Sequence, residues 1–265
     1  MISVVLDRMN RIGLLPTLAL IANRIWGALL EVRYTELRRC RCCGGVSSFL
    51  KLDRSRVAMR CLRCGANKRY EALADVLKQH VAGLSKDSMV VELDPNSPLK
   101  RILGKHDFKY IRTYYSAADG RGRISRDGSR CEDITNLTFA DGSIDLIISS
   151  DVLEHVPDIK RAFSETARVL KPGGMHIFTV PLSESTLCRA VVAGGEVIHL
   201  FPAEYHLDPL DPRGVLVFWD YGLNLPEVFS GNDLDIQLAT KIETTGASSV
   251  WIAEKALNKE RRCCY

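Results

Sequence analysis

Two cysteine pairs with the same spacing form the most specific chemical pattern in this chain. Cys40 and Cys43 are separated by two residues, and Cys61 and Cys64 repeat that spacing after 17 intervening residues. Each pair can place two thiolates on one tight turn, and two such turns supply the four sulfurs of a tetrahedral Zn²⁺ site. Because four protein ligands leave no open position for water, the pattern predicts a structural zinc site. Cys42 is an adjacent thiol that could replace Cys40 or Cys43.

Polar side chains also follow short apolar runs that predict β-strands. These are Glu92, Asp94, Asn96 and Ser97 after the first run, Asp133 with Ile134 after the third, and Ser149, Ser150, Asp151 and His155 after the fourth. In an open α/β sheet, ligands bind at the carboxyl ends of the strands, near the point where the strand order reverses. We therefore expect these side chains at one ligand-binding edge.

Residues 139–181 combine several motifs in a definite order. Asp145 precedes an apolar strand, Asp151-Val152-Leu153-Glu154-His155-Val156 follows it, and the segment 168–174 (Arg-Val-Leu-Lys-Pro-Gly-Gly) comes later. This order resembles the class I S-adenosylmethionine-dependent methyltransferases, in particular the family that includes bacterial small-molecule and sugar methyltransferases. The four-cysteine pattern ahead of it and the segment 204–209 (Glu-Tyr-His-Leu-Asp-Pro) after it are similar to a bacterial subgroup with the same arrangement. The resemblance covers most of residues 40–255.

The resemblance implies S-adenosylmethionine as the cofactor and assigns parts of its site. Asp133 would face the adenine amino group, and the segment 149–155 would line the methionine end. The helix after Ser97, with Pro98 at its first position, would hold the methionine carboxylate at its N-terminus. Simpler alternatives stay open: Ser97 caps the helix, His155 packs within its own loop, and Asp133 is a surface acid.

Two positions depart from the family pattern. The segment 94–97 (Asp-Pro-Asn-Ser) stands where glycines usually let the backbone approach the cofactor closely. Tyr114 stands where an acidic residue usually closes the second strand, and Asp119 from the following loop is the candidate substitute. These departures keep open a non-catalytic relative that has lost the cofactor.

Methyl transfer needs alignment of the acceptor more than it needs reactive protein groups, because the cofactor methyl is already activated. A hydroxyl acceptor also requires a general base, for which the candidates are Asp151, His155 and His206. His206 belongs to a cluster, Glu204 to Asp208, that is expected to form a lid over a small acceptor pocket, with the basic cysteine region outside it. The resemblance favours a small-molecule or glycan hydroxyl. An RNA methyltransferase and a non-catalytic binding protein are the alternatives.

The elements that must position these residues follow from the order of apolar runs. Short strands alternate with helices from residue 88 onward, which predicts an α/β, Rossmann-like fold with a mostly parallel sheet and helices on both faces. We expect a helical segment at 1–39, a four-cysteine zinc-binding knot at 40–70, and a connector helix at 71–87. The methyltransferase domain follows at 88–256, and a tail at 257–265 ends the chain. No function is assigned to Cys263 and Cys264 in that tail.

Charge is unevenly distributed along the chain. Residues 31–70 hold eleven Lys and Arg against three Asp and Glu, a local net charge of +8, so the remainder carries −4 of the total +4. The basic region indicates either a solvated face or contact with an anionic partner. Phe49 is the only aromatic residue in 40–69, which weakens the RNA alternative. Arg24 and Pro16 interrupt the most apolar stretch, so we expect no membrane span. Asp7 and Arg8 precede that stretch and no small-residue cleavage site follows it, so we expect no signal peptide and a cytoplasmic protein.

Overall fold

The computed structural model describes residues 35–51, 59–206, 214–229, 233–241 and 248–257. Most of the predicted N-terminal helical segment and almost all of the predicted tail, with Cys263 and Cys264, lie outside these ranges. Residues 35–39, which the sequence places in the helical segment, form a strand instead, β1 (Thr35–Arg39). The reason is long-range pairing, since every residue of β1 is matched with one in β2 (Val46–Lys51).

The cysteine region is a small antiparallel sheet. Its strand order is β1-β2-β3, with β3 at Met59–Cys61. The turn after β1 contains Gly44 at φ 71° and the turn after β3 contains Gly65 at φ 81°, a backbone region that suits glycine. The Gly44 amide donates to the Cys40 carbonyl at 2.8 Å and the Gly65 amide to the Cys61 carbonyl at 2.7 Å. The two turns are therefore built alike, as their equal spacing predicts.

Helix α1 (Lys68–Val81) joins this module to the main sheet. Asn67 begins the helix as its N-cap, with Oδ1 accepting from the Tyr70 amide at 3.1 Å. The connector helix is expected to begin at residue 71, but it begins three residues earlier, at Lys68. The N-cap Asn67 sets this start, ahead of the apolar pattern on which the expectation is based. Its buried face presents Leu73, Ala74 and Leu77 to the sheet.

The main sheet has seven strands in the order β15-β16-β8-β7-β4-β5-β6. The bounds are β4 Met89–Glu92, β5 Lys109–Tyr114, β6 Arg130–Cys131, β7 Ile144–Ser150, β8 Leu170–Pro181, β15 Leu234–Lys241 and β16 Ser248–Lys255. Neighbouring strands from β6 to β8 are parallel, and β16 is antiparallel to both β8 and β15. The chain runs outward from β4 to β6 and then returns to β7 on the other side of β4. The order therefore reverses between β4 and β7.

Two cores on opposite faces of the sheet confirm a layered α/β arrangement. Helix α1 and the short helix α2 (Lys100–Leu103) pack on the face that carries Val90 and Ile148. Helix α3 (Ile159–Val169) and helix α4 (Leu225–Val228) pack on the face that carries Val91 and Ile147. Successive strand residues thus point to opposite cores, as a sheet covered on both faces requires. The cysteine region joins the first core through Phe49, Cys61 and Ala66.

The segment 171–174 (Lys-Pro-Gly-Gly) differs from expectation, because it lies within a strand and not in a loop between helix and strand. Helix α3 ends at Val169, and Leu170 already has the extended backbone of β8. Ile144 pairs with Leu170 and Leu146 pairs with Met175, so the four residues bulge out opposite a single residue of β7. Gly173, at φ 76°, supplies the backbone conformation that this bulge needs.

Short elements follow β8 and cover its carboxyl end. They are β9 Leu187–Cys188, β10 Ala190–Ala193, β11 Glu196–His199, β12 Tyr205–His206, β13 Val215–Leu216 and β14 Trp219–Asp220. Val217 and Phe218 are buried, as the apolar run at 215–219 predicts. Within the described residues, no helix is long and apolar enough to cross a membrane.

Candidate active site

The ends of β4 and β7 lie side by side at the point where the strand order reverses. β4 is hydrogen-bonded in parallel to β7, and the Leu93 amide continues the pairing by donating to the Ile148 carbonyl at 2.8 Å. The loops that follow the two strands therefore open on the same edge of the sheet. This edge is where a doubly wound sheet binds its ligand.

The loop after β4 is held by side-chain hydrogen bonds in place of glycines. Asp94 Oδ1 accepts from the Asn96 amide at 2.7 Å, and Ser97 Oγ accepts from the Leu99 amide at 3.0 Å. The sequence predicts Ser97 as the cap of a helix with Pro98 at its first position. The structure instead starts the regular helix at Lys100, after a turn that Ser97 closes. With only four residues, α2 contributes little as an anion site.

Glu92 is a buried carboxyl group beneath this loop. It is 1% exposed, and the Tyr110 hydroxyl donates to its Oε2. Burial and the nearby Asp94 raise the pKa of Glu92 to about 8, although Ser97 and Tyr110 oppose that shift. Because it is buried, Glu92 influences the site indirectly, by positioning its hydrogen-bond partners Ser97 and Tyr110.

The end of β7 is polar and tightly connected to β8. Ser149 Oγ lies 2.9 Å from His176 Nε2, and Ser150 Oγ lies 3.0 Å from Thr179 Oγ1. Asp151 follows at φ 51°, a left-handed conformation that is uncommon outside glycine. Its amide donates to the Thr179 carbonyl at 3.0 Å, and its Oδ1 accepts from Thr179 Oγ1 at 2.9 Å. Residues that are held in an unfavourable backbone conformation by several hydrogen bonds, as Asp151 is, are concentrated at functional sites.

Helix α1 brings Arg69 and Tyr70 into the same edge. Arg69 forms an ion pair with Asp151, and the Tyr70 hydroxyl donates to Asp94 Oδ2 at 2.6 Å. Although burial opposes its charge, the Asp151 carboxylate raises the pKa of the Arg69 guanidinium above its usual value. Arg69 Nε is buried and has no hydrogen-bond partner among the described residues. The first turn of α1 thus ties the loops after β4 and β7 together.

Asp133 and Ile134 lie after β6, two strands away from β4. Asp133 Oδ1 accepts from the amide and the hydroxyl of Thr135, at 2.8 and 2.7 Å. Ile134 is 8% exposed and belongs to the core on the α3 side. Asp133 therefore closes a turn and Ile134 anchors that turn in the core. Both residues lie just after β6, which is an edge strand of the sheet.

A carboxylate and two imidazoles meet beyond β7. Glu154 Oε1 lies 3.5 Å from His206 Nδ1 and 3.7 Å from His155 Nε2, and the two rings pack edge to face at 5.0 Å. Glu154 is 1% exposed, and burial raises its pKa to about 7. The nearby Glu154 carboxylate raises the pKa of His206. The structure thus brings together His155 and His206, which are 51 residues apart in the sequence.

The chain around His206 is docked on the turn that carries Glu154 and His155, a 3₁₀ helix at Leu153–His155. β12 pairs with β13, and the Phe218 amide donates to the Glu154 carbonyl at 2.7 Å. His155 Nδ1 lies 2.8 Å from the Leu216 carbonyl. The expected lid is therefore anchored at Tyr205–His206. Residues 207–213, including Asp208, lie outside the described ranges.

Two features adjoin this edge. Asp119 Oδ2 accepts from the Tyr114 hydroxyl at 3.1 Å, so Asp119 does reach the end of β5. A cleft of about 350 Å³ opens in the loop after β8. It is lined by Ser183, Glu184, Ser185, Leu187 and Asp220.

The four cysteines of the predicted knot fit a tetrahedral zinc site. The Cys40 and Cys64 sulfurs are 3.6 Å apart, those of Cys43 and Cys61 are 4.0 Å apart, and all four lie within 4.8 Å of one another. Four sulfurs at Zn–S bonds of about 2.3 Å would be about 3.8 Å apart. Cys42 instead points to the Tyr70 carbonyl, with its sulfur 3.1 Å from the oxygen. Cys42 is therefore a core thiol in this arrangement.

Much of the positive charge described in the cysteine region is paired within the protein. Arg38 makes a bidentate contact with Glu71 of α1 at 2.7 and 2.6 Å, and Arg41 lies 2.7 Å from Asp75 of the same helix. Arg69, which lies in the basic region of the sequence, is the half-buried partner of Asp151. The paired arginines hold the module against α1. Arg54 and Arg56 lie outside the described residues.

Three residues of the site are not among those predicted from the sequence. Arg69 and Tyr70 are missed because they precede the main domain by about 20 residues, and no local pattern shows that α1 reaches the sheet edge. Glu154 belongs to the motif at 151–156, but its role is visible only once His206 is beside it. Recognising Asn67 as an N-cap would have placed Arg69 and Tyr70 in the first turn of α1 from the sequence alone.

Comparison with known proteins agrees with the motif at the centre of the chain. Residues 109–178 match the family model described as a methyltransferase domain. An uncharacterized methyltransferase from Mycobacterium sp. (strain JLS) is 44% identical over 63 residues, which are 24% of this chain and 23% of that protein. The malonyl-[acyl-carrier protein] O-methyltransferase of Methylococcus capsulatus is 34% identical over 85 residues, 32% of this chain and 28% of that protein. Each match thus spans less than a third of the curated relative.

Among solved structures, the chain is similar to 1,6-didemethyltoxoflavin-N1-methyltransferase of Burkholderia thailandensis. The similarity covers 71% of this chain and 79% of that chain, at 12% identity and a TM-score of 0.48. The family match extends from β5 into β8, and it includes Asp133, Ser149 and Asp151. The methyltransferase-type segment therefore contributes the ends of β6 and β7 to the polar sheet edge, whereas the loop after β4 lies outside it.

Proposed function

We propose that this protein is an S-adenosylmethionine-dependent methyltransferase that acts on a hydroxyl of a small-molecule or glycan acceptor. The observation that carries the proposal is the match of residues 109–178 to a methyltransferase domain, which includes β7, one of the two strands that end at the reversal point. The finer part, the acceptor and its hydroxyl, rests on the resemblance of the motifs and on the imidazoles beside Asp151.

The chemistry of the sheet edge fits this cofactor. Asp94 and Asp151 supply carboxylates for an ammonium group, and the unpartnered Arg69 Nε is a buried donor suited to a carboxylate. On the proposal, Asp94, Asn96, Ser97 and Ser150 hold the methionine end together with Glu92 and Ser149 beneath them. Asp133 and Ile134 hold the adenine. When bound, the cofactor supplies a methyl group already activated on a sulfonium.

The chain's own part in the reaction is to align the acceptor and remove its proton. The residues at the sheet edge would hold the acceptor oxygen against the methyl group that the bound cofactor supplies. Asp151 is engaged by Arg69 and Thr179, and His155 Nδ1 faces a carbonyl, so His206 is the most accessible of the three candidate bases. Its side chain is 32% exposed. If no metal is bound beside it, His206 would therefore act as the general base and take the proton of the acceptor hydroxyl.

The four-cysteine knot is proposed to hold one structural Zn²⁺ through Cys40, Cys43, Cys61 and Cys64. The sulfur separations and the two matching turns support this, and the donor set is one that zinc prefers. Bound metal would brace the start of α1, and through it Arg69 and Tyr70. The knot therefore has a structural reason to be present even if it contacts no acceptor.

Methyl transfer from isotopically labelled cofactor to hydroxylated metabolites, sugars and total RNA tests the proposal. We expect transfer to a small hydroxylated acceptor, and His206→Ala should reduce transfer far more than cofactor binding. Charge reversal at Arg54 and Arg56 should have little effect on such an acceptor. Loss of activity confined to the arginine variants, with a steep fall as salt rises, would indicate an RNA acceptor instead. Transfer to none of them, with no cofactor bound, would indicate a binding protein.

A further inference from the structure

The cluster of Glu154, His155 and His206 has the composition of a divalent-cation site. Each side chain offers one ligand atom, and the three atoms lie within 4.8 Å of one another. Two imidazoles and one carboxylate form a ligand set that suits Mn²⁺, Fe²⁺ or Zn²⁺ and leaves coordination positions open. This cluster is separate from the four cysteines and shares no residue with them.

Glu154 is the observation that points to a ligand. Its side chain is 1% exposed, and neither carboxylate oxygen has a hydrogen-bond partner among the described residues. Native proteins satisfy almost all such buried atoms, because an unsatisfied one costs about 1–3 kcal/mol, and more if it is charged. The nearest side-chain nitrogens, His206 Nδ1 at 3.5 Å and His155 Nε2 at 3.7 Å, lie beyond the usual hydrogen-bond distance. A cation between the three groups would satisfy the carboxylate.

His155 is oriented as a metal ligand usually is. Its Nδ1 lies 2.8 Å from the Leu216 carbonyl, which can only accept, so Nδ1 carries the proton. Nε2 then carries the lone pair, and this is the nitrogen that faces Glu154. A ring N–H donated to a backbone carbonyl is the usual outer support of a ligating histidine. A cation placed between Nε2 and the Glu154 carboxylate, which are 3.7 Å apart, would be ligated by both.

The separations are compatible with coordination after a small contraction. Ligand atoms about 2.1 Å from a metal are roughly 3.0–3.4 Å apart in octahedral or tetrahedral geometry. The two separations from Glu154 Oε1, 3.5 and 3.7 Å, exceed this by a few tenths of an ångström, and all three ligand atoms lie within 4.8 Å of one another. The neighbouring Arg69 forms its ion pair with Asp151, and among the described residues it makes no hydrogen bond to Glu154.

We propose that Glu154, His155 and His206 bind a divalent cation at the acceptor side of the sheet edge. The cation's role rests on the proposed methyl transfer: an acceptor hydroxyl in an open coordination position would lose its proton to solvent more readily. His206 would then serve as a ligand and not as the base. The metal would select acceptors whose oxygen can coordinate it, such as phenols or hydroxyls with a second oxygen nearby.

Titration of the zinc-loaded full chain with Mn²⁺, followed by the electron paramagnetic resonance signal of free Mn²⁺, tests the site. Mn²⁺ does not favour thiolates and ranks below Zn²⁺ in affinity, so the four-cysteine knot should keep its zinc. We expect one Mn²⁺ bound per chain, with affinity reduced at least ~10-fold in Glu154→Gln and His206→Ala. The matched controls Glu196→Gln and His199→Ala, both on the exposed strand β11, should bind as the parent does.

Cofactor binding measured on the same samples separates this inference from the proposed function. A parent that leaves the free Mn²⁺ signal unchanged, or Glu154 and His206 variants that bind Mn²⁺ like the parent, would overturn the metal site. Mn²⁺ binding that depends on these residues supports the site whether or not the cofactor binds. Absence of cofactor binding in that case would count against the methyltransferase proposal alone.

Discussion

His176 gives the sharpest stability prediction, because burial separates its protonation in the folded and unfolded states. None of its side chain is exposed, Ser149 Oγ lies 2.9 Å from its Nε2, and burial lowers its pKa from 6.5 to about 3. The folded protein keeps the imidazole neutral in mild acid, whereas the unfolded chain takes up a proton below about pH 6.5. The stability that depends on a neutral His176 is therefore present above pH 6.5 and is lost as the pH falls toward 3.

The size of the effect follows from the two pKa values. Each pKa unit corresponds to about 1.4 kcal/mol, so the loss is about 2 kcal/mol at pH 5 and about 4 kcal/mol near pH 3. Glu92, whose pKa is raised from 4.5 to about 8, destabilises the folded protein as the pH rises through that window, so it acts in the opposite sense where the two windows overlap. The useful quantity is therefore the difference between the parent and a His176 variant, in which the contribution of Glu92 cancels.

His176→Gln removes the titration and keeps a polar group for Ser149. The unfolding free energy of zinc-loaded protein can be measured by urea titration with circular dichroism. We expect the difference between parent and variant to shift by about 2 kcal/mol, in favour of the variant, between about pH 7.5 and 5. His199→Gln, on the exposed strand β11, is the control and should follow the parent at each pH. A difference for His176→Gln that stays constant with pH would refute the burial argument.

Three further predictions concern the metal, the helix contact and the cofactor. Cys61→Ser should abolish zinc retention and lower the unfolding free energy, because metal binding is coupled to folding; elemental analysis without zinc in the parent, and equal stability of the variant, would contradict this. Tyr70→Phe should lower the unfolding free energy by about 1.5–3 kcal/mol by removing the hydrogen bond to Asp94, while the exposed Tyr115→Phe should have no effect; equal stability of both variants in urea would refute it. Asp133→Ala should weaken cofactor binding by about 1–3 kcal/mol, and an unchanged dissociation constant in calorimetry would show that the adenine is bound elsewhere.

The central sheet could be predicted because its strands are short, apolar and separated by helical patterns. Met89, Ile144 and Met175 each lie at or near the start of a predicted run, and the structure places them in β4, β7 and β8. Local periodicity is a strong indicator for such buried parallel strands. The spacing of the cysteine pairs likewise predicted which sulfurs converge, because each pair needs only its own turn.

The remaining differences come from contacts between distant segments. β1 is a strand because β2 pairs with it, and the segment 171–174 lies within β8 because a bulge lets the strand begin directly after α3. Arg69 falls in the basic region 31–70 of the sequence, yet the fold pairs it with Asp151, 82 residues away. The meeting of Glu154 with His206 depends on β12 and β13 docking over the 3₁₀ helix. Neither local propensity nor charge count encodes such pairings.

Calorimetric titration of S-adenosylmethionine into the folded, zinc-loaded full chain tests the central claim most directly. The account predicts one cofactor molecule bound per chain, with weaker binding in the Asp133→Ala variant. Absence of binding by protein that is folded and retains its zinc would contradict the account. It would show that the loop at 94–97, which lacks the usual glycines, no longer admits the cofactor.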